Sequence, residues 1–260
     1  SNMIKKEYCQ ARPCPLCASK KQEILFNKKG FDHVKCRNCG FIFVSPILSD
    51  FALTEFYKRE SEWIKVMLSR QEQRVSRIMY SYALKFLEKE CRLKNRKLLD
   101  IGSGSGLFIE TAEQFGWEAV GIELNKKMIQ RSRQRALKIY NDLNILKKGK
   151  KRFAVITLWF VLEHIKNPKV FINDARGLLL NDGLLLICVP HLDALVNRLY
   201  GKESQTFAGH SHINFFNLDT LNSLALKYGF ALVAAETQIT QLNNIKKIFL
   251  LTNILIIIKL

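Results

Sequence analysis

The stretch Lys97–Gly106, KLLDIGSGSG, constrains this chain more than any other. A short apolar run ends in an acid, Asp100, and glycines follow at 102, 104 and 106. The periodic segment LFIETAEQF begins at once, which predicts a strand, a tight turn and a helix. Glycine supplies positive φ and lets a ligand lie against the backbone. The unpaired N–H groups opening the helix favour polar or anionic ligand atoms.

The spacing narrows the ligand. A dinucleotide fingerprint, G-x-G-x-x-G, started at Gly102 would need glycine at 107, where this chain has Leu107. The pattern here is D-x-G-x-G-x-G. A carboxylate at the strand's end suits a ligand bearing an ammonium group and repels a pyrophosphate. S-adenosylmethionine (SAM) carries such a group. Some twenty residues on, AVGIELN predicts a second strand ending in Glu123, an acid placed to hold both ribose hydroxyls.

Beyond the turn, predicted strands and helices alternate. Strands are expected at 97–101, 118–122, near LKIYN, at 153–159, 184–190 and 230–236, and within 250–259. Helices are expected at 106–116, 125–136 and 169–180 and over LDTLNSLALKYGF, with a loop at 147–152 and an Asn181-Asp182-Gly183 turn before 184. Near-continuous apolar strands in such alternation predict an α/β fold, a mostly parallel Rossmann-like sheet covered on both faces. Ligands of these sheets bind beyond the carboxyl ends of the strands. Asp100, Glu123, Asp142 and Trp159 all fall at such ends.

The N-terminal region has a different logic. Cys14-Pro-Leu-Cys17 and Cys36-Arg-Asn-Cys39 offer four soft ligands, the set of a closed, structural zinc site. Between them EILFNKKGFDHVKC reads as a hairpin turning at Lys28–Gly30, with His33 inside it as a structural residue first and a spare ligand as the alternative. A module this small needs the metal to fold. The expected division is a zinc ribbon over 1–49, a helical linker or lid over 50–96 and a SAM-binding domain over 97–260. Tyr57 in the linker is a candidate to cover the cofactor. The remaining cysteines are scattered, and the first twenty residues are polar, basic and carry two prolines. A reducing, cytoplasmic setting is expected. The apolar run at 248–258 is too short to span a membrane and reads as a buried strand.

With these pieces in place, the chain resembles class I SAM-dependent methyltransferases over roughly residues 97–236. The matching stretches are LLDIGSGSG, VGIELN, DL at 142–143, VLEHI at 161–165, NDGLLLICVP and HINFFNLDTLNSLALKYGF. The L-E-H-x-x-x-P form is similar to ubiquinone-biosynthesis and sugar methylases. The paired C-x-x-C is similar to the zinc-binding extension of bacterial sugar methyltransferases. The resemblance implies a last strand antiparallel to the rest, and a cofactor site at Asp100, Gly102, Ser103, Gly104, Gly106, Glu123, Leu124, Asp142, Leu143 and Trp159. It departs in having Ala154 where strand four usually carries an acid.

Transfer from a sulfonium needs alignment, closure and sometimes a base. His164, His191, His210 and His212 all fall near the ligand edge, and a histidine takes a proton at neutral pH. His212 is the first candidate, because H-x-x-F-F matches the loop facing the acceptor. His164 is the second, with holding that loop in place as its alternative role. Glu163 is expected at a helix terminus or in a salt bridge.

The acceptor is expected to be a small molecule, sugar-linked or a nucleotide sugar. The net charge is +18, and residues 124–152 hold eleven Lys or Arg against one acid, Asp142. Such a flank would attract RNA, an anionic membrane surface or another polyanion. An RNA methyltransferase is therefore the first alternative. A zinc-ribbon binding protein that keeps a SAM site without turnover is the second. Placement favours the small molecule, since KKGKKR precedes strand four and so lies away from the cofactor mouth.

Overall fold

The computed structural model describes residues 9–49, 52, 68–90, 94–240 and 251–260. Its centre is a seven-stranded sheet built from β6 (Lys97–Ile101), β7 (Glu118–Ile122), β8 (Ile139–Tyr140), β9 (Phe153–Trp159), β10 (Leu179–Pro190), β12 (Ala231–Thr240) and β13 (Leu251–Lys259). The order across the sheet is β12-β13-β10-β9-β6-β7-β8. All neighbours are parallel except β13, which runs antiparallel between β10 and β12. The apolar run near the C-terminus is thus the buried last strand that the resemblance implied.

Alternation along each strand divides the core into two faces. Leu99, Ile101, Ile156, Leu158, Ile187 and Ile256 belong to one apolar cluster. Their neighbours Leu98, Val155, Leu186, Leu255 and Ile257 belong to the other. The second face is covered by α1 (Arg70–Glu90), α2 (Leu107–Gln114) and α3 (Lys126–Gln134), through Leu84, Phe108 and Ile129. The first face is covered by α4 (Leu143–Lys148), α5 (Pro168–Arg176) and α7 (Leu218–Lys227), through Leu146, Ile172 and Leu224. The short α6 (Leu195–Tyr200) follows β10.

Local chemistry sets the helix starts. Asn125 accepts from the Lys127 and Met128 amides at the head of α3. Asn217 and Thr220 form a capping box on α7, and Pro168 opens α5, where its missing N–H costs nothing.

Three predicted boundaries moved. Asp142 accepts from Asn144 N and starts α4, which takes in the first two residues of the predicted 147–152 loop. Helix α5 ends at Arg176 and β10 begins at Leu179. The Asn181-Asp182-Gly183 stretch is therefore an irregularity inside β10, with Asp182 at φ 62°, and not a turn ahead of the strand.

The N-terminal segment forms β2 (Gln22–Lys28), β3 (Phe31–Cys36) and β4 (Ile42–Val44), with β1 (Cys9–Gln10) paired to β5 (Ile47–Leu48). The hairpin turns where predicted, with Lys29 and Gly30 at positive φ. Its sheet gains a fourth strand from far along the chain: β11 (Asn214–Phe215) pairs antiparallel with β4. Val34, Cys36, Phe41 and Phe43 share a cluster with the first face of the large sheet. His33 is fully buried, stacked on Phe26 at 4.5 Å and close to Phe215 at 5.2 Å, a packing residue as expected. Tyr57 and most of the predicted lid lie outside the described residues; of the linker, α1 is the main described part.

Candidate active site and cysteine cluster

The sheet order brings the predicted acids to one rim. Trp159, Asp100, Glu123 and the Asp142 turn follow the carboxyl ends of the adjacent strands β9, β6, β7 and β8. Between the first two strands and α2 lies the glycine turn. Gly102, Gly104 and Gly106 all adopt positive φ, at 79°, 53° and 81°. A Cβ at Gly102 would run into the Val161 side chain, and one at Gly106 into Leu137. These two glycines are required by close packing as well as by backbone conformation. No side chain caps α2, which leaves its opening amides to a ligand.

Glu123 reaches back over the turn. One carboxylate oxygen accepts from Gly104 N at 2.8 Å, and the other from Leu124 N and Asn125 N at 2.7 Å each. The ends of β6 and β7 are thereby tied together. Leu124 beside it is 78% exposed, a large apolar side chain open to a ligand. Ser103 is buried, Leu143 packs against the first face, and the carboxylate of Asp142 is engaged as the cap of α4.

Asp100 is buried, and its Oδ1 accepts from Thr157 Oγ1 at 2.7 Å. Burial pushes its carboxyl up to about 7, against the pull of the Thr157 hydrogen bond and with a smaller push from Glu123. A carboxyl held so close to neutrality ionises most readily with a cation beside it. Trp159 packs against Tyr80 of α1 at 4.8 Å and Phe108 of α2 at 5.2 Å, and its indole N–H is buried without a protein acceptor. Acids at the ends of β6 and β7 with a side-chain-free turn between them fit SAM.

On the first face, next to the same rim, the LEH turn meets the 206–215 segment. His164 Nδ1 hydrogen-bonds Ser211 O at 2.9 Å, and His212 Nδ1 hydrogen-bonds Thr206 O at 3.0 Å. With carbonyl partners, both rings donate from Nδ1 and leave Nε2 as the lone-pair nitrogen. The rings stand 5.0 Å apart. Burial lowers both pKa values, that of His164 to about 3 with a further push from His212. His164 is thereby hydrogen-bonded to the loop that carries His212. His191 accepts from Asp193 N instead, and His210 lines a small cleft with Ile47, Leu48 and Lys166.

Glu163 lies in the short 3-10 turn Leu162–His164, the helix-end placement expected for it. It is 1% exposed, and neither carboxyl oxygen has a hydrogen-bond partner. Its Oε1 lies 3.8 Å from His164 Nε2. Burial raises the Glu163 carboxyl to about 8. At neutral pH the contact joins a protonated acid to a neutral imidazole, and it is not a salt bridge.

The four cysteines converge. Cys14 Sγ lies 3.6 Å from Cys39 Sγ, and Cys17 Sγ lies 3.5 Å from Cys36 Sγ. All four sulfurs fall within 4.8 Å of one another. Four thiolates at the usual zinc distance would stand about 3.8 Å apart, so the donor set fits that ion. The two knuckles match: Ala18 N bonds Cys14 O and Gly40 N bonds Cys36 O, with Ala18 and Gly40 both at positive φ. Burial raises the Cys14 thiol. At Cys17 burial also pushes upward, but hydrogen bonds from Ser19 and Asn38 outweigh it and bring the group to about 6.

The basic flank lies where the sequence put it. Lys147 and Lys148 end α4, and the rest of KKGKKR leads into the amino end of β9, opposite the rim of acids. Some of this charge is used internally: Lys147 pairs with Asp174 at 2.8 Å, and Arg135 with Glu110 at 2.7 Å.

Sequence reasoning missed Thr157, Tyr80 and Arg12. A threonine inside an apolar strand was the one available signal for Thr157. Tyr80 sits in an amphipathic segment among other aromatics, and Arg12 belongs to no motif.

A Rossmann-like sheet with this strand order, a glycine turn between two placed acids and an antiparallel last strand defines the class I SAM-dependent methyltransferase fold. A family model described as a methyltransferase domain matches residues 70–235, and the chain belongs to that family. It is similar to a ubiquinone biosynthesis O-methyltransferase of Coxiella burnetii, 29% identical over 142 residues, covering 52% of this chain and 57% of the relative. The like-named protein of Pelagibacter ubique is 38% identical over 121 residues, covering 43% and 50%. The chain thus spans about half the length of these curated relatives. Among solved structures, the magnesium protoporphyrin IX methyltransferase of Synechocystis with bound S-adenosylhomocysteine (SAH) superposes with a TM-score of 0.58 at 15% identity, covering 81% of this chain and 96% of that one. The plantazolicin methyltransferase in complex with SAH gives 0.57 at 15%, covering 79% and 93%. At such identity the likeness is one of fold.

Proposed function

We propose that the protein transfers the methyl group of SAM to a sugar-linked small molecule held between the strand-end rim and the N-terminal module. The observation that carries this reading is the rim itself: Asp100 and Glu123 flank a turn in which Gly102 and Gly106 admit no side chain. In this reading Asp100 faces the ammonium group, Glu123 the ribose, and Leu124, Asp142 and Leu143 the adenine. Gly102, Ser103, Gly104 and Gly106 supply the floor and Trp159 the wall. SAM brings the electrophilic methyl group; the chain aligns the acceptor and removes its proton.

His212 is the base in this reading. Its Nδ1 contact with Thr206 O leaves Nε2 as the lone-pair nitrogen, and its lowered pKa keeps that lone pair unprotonated at neutral pH. His164 positions the loop. Cys14, Cys17, Cys36 and Cys39 hold a structural zinc ion in the 1–49 module; 50–96 links it to the 97–260 domain. Among the described residues no helix is long and apolar enough to cross a membrane, and we assign a cytoplasmic site of action. The relatives named for ubiquinone biosynthesis support a small-molecule acceptor. The basic flank, set away from the rim, gives no support to RNA as acceptor, and we leave it a polyanion-contacting role.

Calorimetric titration of zinc-loaded protein with SAH, beside Glu123→Ala, tests the cofactor site. Radiolabelled methyl transfer to nucleotide sugars and to RNA then tests the acceptor. Micromolar binding abolished by the substitution is expected, with label entering the sugar pool. Absence of SAH binding by folded protein would end the methyltransferase reading. Binding with no transfer to any acceptor would favour a non-catalytic role.

A further inference from the structure

Arg12 stands two residues before the first cysteine, yet its guanidinium reaches across the fold. Nε donates to Val44 O at 2.9 Å and Nη1 to Lys166 O at 3.2 Å. Nη2 donates to Ile213 O at 2.6 Å and to Asn214 Oδ1 at 3.0 Å. The group lies over the Phe43 ring at 5.3 Å, and Ser45 Oγ clasps the Arg12 main chain at both its N–H and its C=O, 3.2 Å each. A guanidinium is charged at neutral pH. All four acceptors are neutral. Charge-assisted bonds of this kind are about twice as strong as neutral ones. A lysine, with its donors on one point, cannot span three separate chain segments.

Those segments are the N-terminal module, the loop after the LEH turn and the residues following His212. The same junction is tied elsewhere. Val44 N donates to Ile213 O and Ile213 N to Glu163 O, each at 2.9 Å. Asn214 Nδ2 donates to Leu162 O at 3.2 Å and to Ile165 O at 2.7 Å. Residues 213–214 are therefore pinned between β4 and the LEH turn, with Arg12 touching β4, residues 213–214 and the loop that follows the turn. His212 is the next residue back. Its ring is fixed at one end by Thr206 O, and its backbone by this junction.

We propose that Arg12 is a positioning residue for the transfer site: it holds the 213–214 strand so that His212 keeps one tautomer and one orientation facing His164. The cysteine module is then a working part of the site, since Cys14 and Arg12 share one short segment. This rests on the reading of His212 as the base.

The test is long-range proton–nitrogen NMR on zinc-loaded, full-length protein labelled at histidine nitrogen, with His212 assigned from the signal missing in His212→Gln. Wild type is expected to give a single Nδ1–H tautomer for His212 and a pKa below the usual histidine value. Arg12→Lys is expected to keep SAH affinity within about twofold while His212 becomes a tautomer mixture and its pKa rises by about one unit. Ser45→Ala, a milder loosening of Arg12, should shift His212 the same way by less, and it serves if Arg12→Lys does not fold. An unchanged His212 spectrum in both folded variants would make Arg12 a stabilising residue only and overturn the proposal. So would a tautomer mixture already present in wild type, or SAH affinity falling in step with the histidine change. Loss of SAH binding by wild type would instead end the methyltransferase reading, while the histidine spectra still report on Arg12.

Discussion

Thr157 Oγ1 donates a 2.7 Å hydrogen bond to Asp100 Oδ1, joining the middle of β9 to the end of β6 beneath the glycine turn. The bond opposes the burial that raises Asp100.

With Asp100 at about 7, a ligand ammonium group binds the ionised form, so SAH affinity should fall as pH drops through that value. The limiting slope is about tenfold per pH unit. Titrations at pH 6, 7 and 8 check this. Thr157→Val, which removes the bond that lowers Asp100, should move the transition to higher pH. A flat profile in wild type would mean that Asp100 does not meet the ammonium group.

Glu163 offers a stability test with a defined sign. Its folded pKa, about 8, lies above its unfolded value near 4.5. The folded state therefore binds the extra proton, and the stability this contributes is full at acid pH and is lost as pH rises between the two values. Glu163→Gln mimics the protonated form. Its stability should approach that of wild type near pH 4 and exceed it at pH 9 by on the order of a few kcal/mol, read from thermal midpoints at both pH values. Equal midpoints at both pH values would show that the carboxyl is not buried as described.

The Gly102 turn should tolerate no side chain. Gly102→Ala faces both a φ of 79° and the Val161 side chain. Strain of this kind costs about 1–3 kcal/mol, and the turn must shift to relieve the contact. SAH binding should drop at least tenfold in protein that still melts cooperatively. Retained affinity would place the ligand elsewhere.

For the cysteine cluster, metal analysis of purified protein should find a single zinc ion per chain, released by a mercury reagent that attacks thiolates. Cys17→Ser should lower both zinc content and thermal stability. Because β11 belongs to the module's sheet, zinc removal should also raise amide exchange at 213–215. Protection there that ignores the metal would mean that the module and the loop are independent.

The glycine turn, the four cysteines and the alternation of strand and helix were legible because each is encoded within a few residues of itself. Positive φ selects glycine, a knuckle selects C-x-x-C, and a strand buried on both faces is a continuous apolar run. Local order also gave the positions of Asp100, Glu123, Asp142 and Trp159 at strand ends. What tertiary structure decided is what no spacing records. Arg12 meets Ile213 across 201 positions. Glu163, a charged residue in a polar-looking turn, is buried only because β11 closes over that turn to pair with β4. His164 and His212 face each other for the same reason. The sequence by itself determined the sheet, the glycine turn and the four-cysteine cluster. Packing between distant segments decided which side chains lost water, and with it which of them are charged.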